Sequence, residues 1–361
     1  AYGHGTHVAS MAAGRAGSYD YSPDTSGIAP AARLYDVKVL DGNGQGTLSD
    51  AIEGIQWVIY HAKEYNIRVM NLSLAADSTD SWQTDPLCAA VRSAAAAGIT
   101  VVVAAGNFGK NILGQERYGT ISAPGNDPSV ITVGSANTKG STARSDDSVN
   151  FFSSRGPTRS AWTDSAGVRH VDNLLKPDLV AHGNAIVGAA ATQASSSTPT
   201  WNLLGTLFYS QLVTPTGITQ TYRETQMQLS GTSVAAPAVA GTVALMLQAN
   251  PGLTPPLAKA LLQYTAQPIA GASLLQQGAG LLNVNGAVRL AKTLRTDITS
   301  AIAAGTIAAG DSIMSVKTFP TRTSSVAGNS FNWSRIAFVG GSVVVSGDAL
   351  FTKFQPFYDP R

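Results

Sequence analysis

Residues 101–105 form an uninterrupted apolar run, V-V-V-A-A, and Gly106 and Asn107 follow directly. A short run without a polar residue on either face is typical of a strand buried on both sides. Further strands are predicted at 33–40, 68–74, 130–133 and 178–181. Helices are predicted at 3–14, 49–65 with Ser49 as its cap, from Asp85-Pro86 to Gly98, and at 233–249, 255–266 and 284–293. Strands that alternate with helices predict an α/β fold, with a doubly wound, mostly parallel sheet and helices on both faces.

Composition narrows the class of protein. The 361 residues are 44% hydrophobic, enough for one large domain, or for one domain with a small appendage. A net charge of +2 gives no strong signal for nucleic acid or a membrane surface, so neither is expected as a partner. The single cysteine, Cys88, excludes an internal disulfide, and its apolar neighbours predict a buried packing residue. Only 13% of residues are charged, which is common in secreted hydrolases.

The stretch 229–241, L-S-G-T-S-V-A-A-P-A-V-A-G, places Ser233 where a loop changes into a helix of small residues. Unpaired backbone N–H groups and the positive end of the helix dipole surround such a position. A developing oxyanion is well stabilised there. Pro237 is expected in the first turn, where it breaks no hydrogen bond. The alternative is that Ser233 is an ordinary helix cap.

Two other motifs bear on that choice. Residues 3–9 read G-H-G-T-H-V-A, and residues 104–107 read A-A-G-N. Together with G-T-S-V-A-A-P, and in this order, they resemble the subtilisin-like serine peptidases (subtilases) over residues 1–292. The resemblance implies an α/β sandwich and peptide hydrolysis through an acyl-enzyme.

Serine chemistry needs a base, usually a neutral imidazole. The resemblance assigns this role to His4, the first histidine of its motif, with Ser233 as the nucleophile. His7 is predicted to be structural, and neither His61 nor His170 is expected to take part. His182 replaces the proline usual in the family and is interpreted as a local departure. A metal pair of His4 and His7 lacks a third ligand.

The resemblance also predicts how the peptide is bound. Asn107 would donate its side-chain amide to the oxyanion, with the backbone N–H of Ser233 as its partner. The substrate would lie as an extended strand between two edges. The first edge is Gly44, Gln45 and Gly46, and the second is Leu74, Ala75 and Ala76. Ala104, Ala105, Gly106 and Ser122, followed by Ala123, would line the pocket for the side chain before the scissile bond. These positions carry no charge, so an uncharged, apolar side chain is expected there.

One part of the family pattern has no counterpart. The family's third catalytic residue is an aspartate in a D-[ST]-G motif upstream of the histidine, and only three residues precede His4. The chain is therefore interpreted as an N-terminally incomplete subtilase. Another part of the chain, a bound N-terminal fragment or a propeptide of the same precursor is expected to supply the missing strand.

Two alternatives remain open. One is a non-catalytic subtilase scaffold, favoured by the missing aspartate and by departures at Ser10, Ala75 and His182. The other is an esterase, although G-T-S-V-A is unlike the G-x-S-x-G motif of α/β-hydrolases.

The remaining expectations concern domains, cofactors and location. Residues 1–294 are predicted to form the peptidase domain, 193–228 a polar insertion, and 295–361 a small β-prone extension. No cofactor is required for the chemistry, and structural calcium bound by backbone oxygens is compatible with the family. A secreted or periplasmic location is expected.

Overall fold

The computed structural model describes residues 2–15, 26–193, 200–201, 203–207, 212–213 and 226–360. Its helices are α1 (His4–Ala13), α2 (Leu48–Tyr65), α3 (Pro86–Ala96), α4 (Leu203–Leu207), α5 (Thr232–Ala249), α6 (Pro255–Thr265), α7 (Leu274–Gln277), α8 (Val284–Ala291), α9 (Ile298–Ala303) and α10 (Ala349–Thr352). Its strands are β1 (Val69–Leu72), β2 (Thr100–Ala104), β3 (Ile131–Asn137), β4 (Ser148–Val149), β5 (Ala161–Thr163), β6 (Arg169–Val171), β7 (Leu179–His182), β8 (Ile186–Ala189), β9 (Thr192–Gln193), β10 (Thr200–Trp201), β11 (Leu212–Val213), β12 (Gln226–Leu229), β13 (Thr323–Val326), β14 (Asn329–Asn332), β15 (Ile336–Val339) and β16 (Val343–Ser346).

A five-stranded sheet forms the centre of the molecule. β1, β2, β3 and β7 run parallel, and β4 pairs antiparallel with the end of β3. In the register, Val102 lies opposite Ile131, and Val133 lies opposite Leu179. β2 is buried along its whole length, as its apolar sequence predicts.

Helices cover both faces of this sheet. On one face, α2 and α3 bury Ile55, Val58, Leu87 and Val91 against β1 and β2. On the other face, α5, α6 and α8 share a larger core with β2, β3 and β7. The predicted doubly wound α/β sandwich is confirmed.

Helix α5 runs through the larger core and is lined with small residues. It is the one helix of the described chain that is long and apolar enough to cross a membrane, and 72% of it is buried inside the protein. The placement of Pro237 in the first turn is wrong. The helix begins at Thr232, so Pro237 is its sixth residue and lies inside the helix.

The ends of two helices show how local signals act. Thr47, not Ser49, caps α2, because its hydroxyl accepts the Asp50 N–H and Asp50 accepts the Thr47 N–H in a reciprocal capping box. The end of α3 agrees with prediction, since Gly98 follows it with φ 86°.

The strand predicted at 33–40 is absent. Val37 and Val39 lie against Gly54 of α2, and the outer side chains stay exposed, including Leu34 at 55% and Tyr35 at 40%. A strand exists only when a neighbouring strand pairs with it, and no described strand does so here. Among the described residues, β1 likewise pairs on one side only, with β2.

The chain after Leu294 packs on the larger core. Trp333, Phe351 and Tyr358 are buried in the same cluster as Tyr264 of α6. The Phe338 N–H donates to Gln263 at 2.9 Å, so β15 is fixed to α6. β15 and β16 both lie in the extension at 295–361 that the sequence predicts to be β-prone. Most of the predicted insertion at 193–228 lies outside the described residues.

Candidate active site

Ser233 is the second residue of α5 and is half-buried. The N–H groups of Val234 and Ala235 both donate to the Gly231 carbonyl. The Thr232 N–H donates to Oδ1 of Asn107 at 2.9 Å. The N–H of Ser233 has no partner among the described residues, as expected for a group in the first turn of a helix. One backbone donor beside the Ser233 hydroxyl is therefore free.

Asn107 follows β2 and reaches the start of α5. Its Oδ1 also accepts the Thr232 hydroxyl at 3.1 Å, and that hydroxyl accepts the Gly106 N–H at 3.2 Å. Because both bonds to Asn107 use its oxygen, its amide nitrogen faces away from Thr232. No group in the described part of the chain accepts from that nitrogen.

The two free donors border the same small space. A methyl group on Gly231 would lie 3.6 Å from Nδ2 of Asn107 and 3.7 Å from the backbone nitrogen of Ser233. The glycine leaves this space empty. N–H donors that converge beside a nucleophile stabilise an oxyanion, so these two groups are candidates for that role.

His4 is the first residue of α1, which packs on α5. It is half-buried, and no hydrogen bond between described residues joins it to Ser233 or to any carboxylate. Burial and, secondarily, the charge of His7 lower the pKa of His4 below its usual range. The imidazole is therefore neutral at neutral pH, as a general base must be.

The other histidines have separate partners. His7 is buried, and its Nε2 donates to the carbonyls of Ile186 and Met227, so this nitrogen is not open to a metal. His61 pairs with Glu64 and His170 with Asp164. His182 ends β7, and its pKa is lowered, chiefly by burial. His7 thus has the structural surroundings predicted for it.

Most of the predicted pocket residues lie together. Ala76 forms an antiparallel bridge with Ala123, its N–H donating to the Ala123 carbonyl at 2.9 Å. The Ser122 N–H donates to the Ala105 carbonyl at 3.1 Å. A methyl group on Gly106 would approach Ser122 Oγ to 2.7 Å. The segments 74–76, 104–106 and 122–123 are therefore neighbours, and none contains a charged side chain.

The edge predicted at 44–46 is not a strand. The Gln45 N–H donates to the Asp41 carboxylate, and its carbonyl accepts the Asp41 N–H. Gly44 has φ 76°, which is turn geometry rather than extended backbone. These bonds use both backbone groups of Gln45, so 44–46 is a loop in this structure, and its pairing with a peptide stays a prediction.

The remaining reactive groups are the Cys88 thiol and the side chains that could bind a metal ion. Cys88 is fully buried, as predicted, and burial raises the pKa of its thiol. Among the described residues, no three His, Cys, Asp or Glu side chains are grouped so that they could hold a metal ion. A calcium site built from backbone oxygens stays a prediction.

Two residues next to the predicted site are absent from the sequence-based prediction. Thr232 orients Asn107, and Ser73 donates its hydroxyl to the Ser233 carbonyl at 2.7 Å. Thr232 could have been found from the sequence, because it directly precedes Ser233. Ser73 could not have been found in this way, because its hydrogen-bond partner lies 160 residues away in sequence.

Comparison with known proteins identifies the class. A sequence model of the subtilase family matches residues 1–287, and the chain belongs to that family. It is 36% identical over 295 residues to the serine protease AprX of Bacillus subtilis, a match that covers 79% of this chain and 58% of AprX. It is 30% identical to subtilisin Savinase of Lederbergia lenta, over 80% of this chain and 78% of that protein. The chain thus spans less than two thirds of the length of AprX.

A solved structure agrees with this assignment. A protease from Pseudoalteromonas arctica is 26% identical, with a TM-score of 0.53, covering 80% of this chain and 70% of that chain. The family membership and the α/β fold therefore rest on sequence and structure together.

Proposed function

We propose that this chain carries the active site of a serine endopeptidase. Ser233 is the nucleophile, and His4 takes its proton as general base. Asn107 Nδ2 and the Ser233 N–H bind the oxyanion that forms when the hydroxyl attacks the peptide carbonyl. His4 then protonates the leaving amine, and water hydrolyses the acyl-enzyme by the reverse use of the same groups.

The observation that carries the proposal is the pair of unpaired donors at Gly231. Asn107 is anchored through its oxygen, so its nitrogen is available without any rearrangement. Asn107 is exposed to solvent, so its amide N–H groups are open to a bound peptide carbonyl. This arrangement favours an enzyme over a non-catalytic scaffold.

Turnover of matched peptide and ester substrates tests the proposal. We expect the full-length protein to hydrolyse both, and Ser233→Ala to abolish both while Thr242→Val retains them. Ester turnover without peptide turnover would support the esterase alternative. No turnover of either substrate in a folded, full-length protein would support the scaffold alternative.

The substrate class proposed is a peptide with an uncharged, apolar side chain before the scissile bond. The support is the cluster of 74–76, 104–106 and 122–123, which offers no charge to pair with a substrate charge. Ala75 is exposed, and we propose that its methyl group narrows the entrance to this pocket. A peptide panel tests this, and a strong preference for Arg, Lys, Asp or Glu would overturn it.

We propose that the aspartate that orients His4 comes from a segment outside these 361 residues, either covalently continuous or bound as a cleaved fragment. The support is the β1 edge, which no described strand pairs, and the exposed side chains of Leu34 and Tyr35. Such a segment would satisfy backbone groups that are otherwise left to water. Full activity and cooperative unfolding of residues 1–361 alone, as a monomer, would contradict this.

The proposed setting is outside the cytoplasm, secreted or periplasmic. The low charged fraction and the family support it. Structural calcium is proposed as a stabilising ion with no part in the chemistry. Loss of thermal stability on chelation, with activity of the remaining folded protein unchanged, would be the expected result.

A further inference from the structure

The carbonyl of Ser233 lacks its ordinary helical partner. In an α-helix each carbonyl accepts the N–H of the fourth residue along the chain. Four residues after Ser233 stands Pro237, inside α5, which has no N–H. The nucleophile's own carbonyl is therefore left without its helical donor.

Ser73 supplies the missing donor. Its hydroxyl donates to the Ser233 carbonyl at 2.7 Å, across 160 residues of sequence. Asn71 donates its side-chain amide to the same hydroxyl oxygen at 2.9 Å. A hydroxyl has a single proton, so the bond from Asn71 leaves that proton free for Ser233. Asn71 is held in β1, opposite Val102 of β2.

We propose that Ser73 is a positioning residue for the nucleophile, and that its hydroxyl and Pro237 form one device. Pro237 frees the Ser233 carbonyl from the helix, and Ser73 then fixes that carbonyl to the end of β1. The backbone of Ser233 is thereby held from the sheet rather than from α5 alone. This inference rests on the proposed peptidase function.

The consequence concerns geometry at the reacting atoms. Both the Ser233 hydroxyl and the Ser233 N–H that faces the oxyanion move with this backbone. A displacement of about 1 Å in such a group costs about a hundredfold in rate. Ser73 also directly precedes the predicted substrate edge at 74–76, so the same contact fixes the nucleophile relative to that edge.

The test compares the full-length wild type with Ser73→Ala, Ser73→Thr, Pro237→Ala and the double variant S73A/P237A. The matched control is Thr242→Val, because the Thr242 hydroxyl also donates to a backbone carbonyl of α5, that of Ala238, at 2.8 Å. A fluorophosphonate titrates the active sites, so that kcat is expressed per competent site. Hydrogen–deuterium exchange of the peptide covering 229–240 is measured in parallel.

We expect S73A to lower kcat per titrated site by about 10- to 100-fold with KM changed less than about threefold. S73T retains the hydroxyl and should keep kcat within about threefold of wild type. In S73A/P237A, residue 237 regains an N–H for the Ser233 carbonyl, so most of the loss should be restored. T242V should leave kcat per site unchanged.

Two results separate this inference from the proposed function. If the wild type shows neither turnover nor titration, the peptidase proposal is wrong. Exchange still tests the contact then: S73A should accelerate it at 229–240, and the double variant should reverse the change. If S73A matches T242V both in kcat per site and in exchange, or if the double variant rescues neither, Ser73 is not a positioning residue.

Discussion

The hydroxyl of Thr232, the residue directly before Ser233, donates to Oδ1 of Asn107 at 3.1 Å. The same hydroxyl accepts the Gly106 N–H at 3.2 Å, so it joins the end of β2 to the start of α5. Asn107 is therefore held through its oxygen, and its amide nitrogen lies near Gly231. Two motifs that are remote in sequence depend on one another through this short chain of hydrogen bonds.

Removing the Asn107 amide should slow the chemical step. We expect Asn107→Ala to lower kcat by about 10²–10³-fold with little change in KM, which is the magnitude of the equivalent loss in subtilisin itself. Steady-state kinetics on one apolar peptide measure this. An effect confined to KM would mean that Asn107 binds substrate and not the oxyanion.

Thr232→Val should give a smaller loss through Asn107. The hydroxyl that orients the amide is removed, but the Thr232 N–H still donates to Oδ1, so we expect about a tenfold fall in kcat, or about 1.4 kcal/mol of barrier. Thr242→Val is the same substitution ten residues later in α5 and should not change kcat per active site. Equal kinetics of the two variants would contradict the orienting role of Thr232.

Replacement by alanine should destabilise the protein more at Gly106 than at Gly98. Both have positive φ, 104° and 86°, so each alanine substitution costs about 1–2 kcal/mol in backbone strain. At Gly106 the new methyl group would also meet Ser122 Oγ at 2.7 Å and Ser154 Oγ at 2.8 Å, whereas at Gly98 no heavy atom lies within 4 Å. We expect Gly106→Ala to lower the free energy of unfolding, measured with urea, by about 1–3 kcal/mol more than Gly98→Ala does. Equal losses would show that the space beside Gly106 is not filled.

The contribution of Lys176 to stability should rise with pH between about 8 and 10. Lys176 is fully buried beside Asp178, which also pairs with Lys259, and burial lowers the pKa of Lys176 to about 8. The unfolded chain, with a lysine pKa near 10.5, binds more protons than the folded protein in this interval. The Lys176 contribution to the free energy of unfolding therefore increases with pH, at up to about 1.4 kcal/mol per pH unit. Below pH 8 both states are protonated, and the contribution is constant.

Urea unfolding at several pH values measures this, with Lys176→Met as the comparison. The variant keeps the Lys259–Asp178 pair and should lose the rise. The contribution of Lys176 is the difference between the two proteins, because the raised pKa values of Cys88 and Tyr264 lower the stability of both as the pH rises above about 9 and 10. A difference between wild type and Lys176→Met that is flat or falls between pH 8 and 10 would contradict the lowered pKa of Lys176.

Elements with local signals are predictable from sequence. The apolar run at 101–105, the helix end at Gly98 and the small-residue helix after Ser233 all have structures that short-range patterns specify. The strand predicted at 33–40 is wrong because a strand needs a partner, and periodicity carries no information about one. The cap of α2 is Thr47 rather than Ser49 because only Thr47 has a reciprocal partner three residues later, in Asp50.

The sequence predicts the residues of the candidate site, but not the residues that hold them in position. The motifs name Ser233, His4 and Asn107, and their roles stay predictions. The prediction places Pro237 in the first turn of the helix. It therefore misses that a proline four residues after Ser233 removes the N–H that would bond to the Ser233 carbonyl. Which residue replaces that donor is fixed only by packing β1 against α5, which no local pattern encodes. At 44–46, glycines suggest an open edge, although the Asp41 carboxylate closes the loop.

The most direct test of the account is to locate the adduct that a fluorophosphonate forms on the full-length protein by mass spectrometry of its peptides. We predict one adduct, on Ser233, that is lost in Ser233→Ala and forms far more slowly in His4→Ala. An adduct on another residue, or labelling of Ser233 at an unchanged rate without the His4 imidazole, would contradict the account.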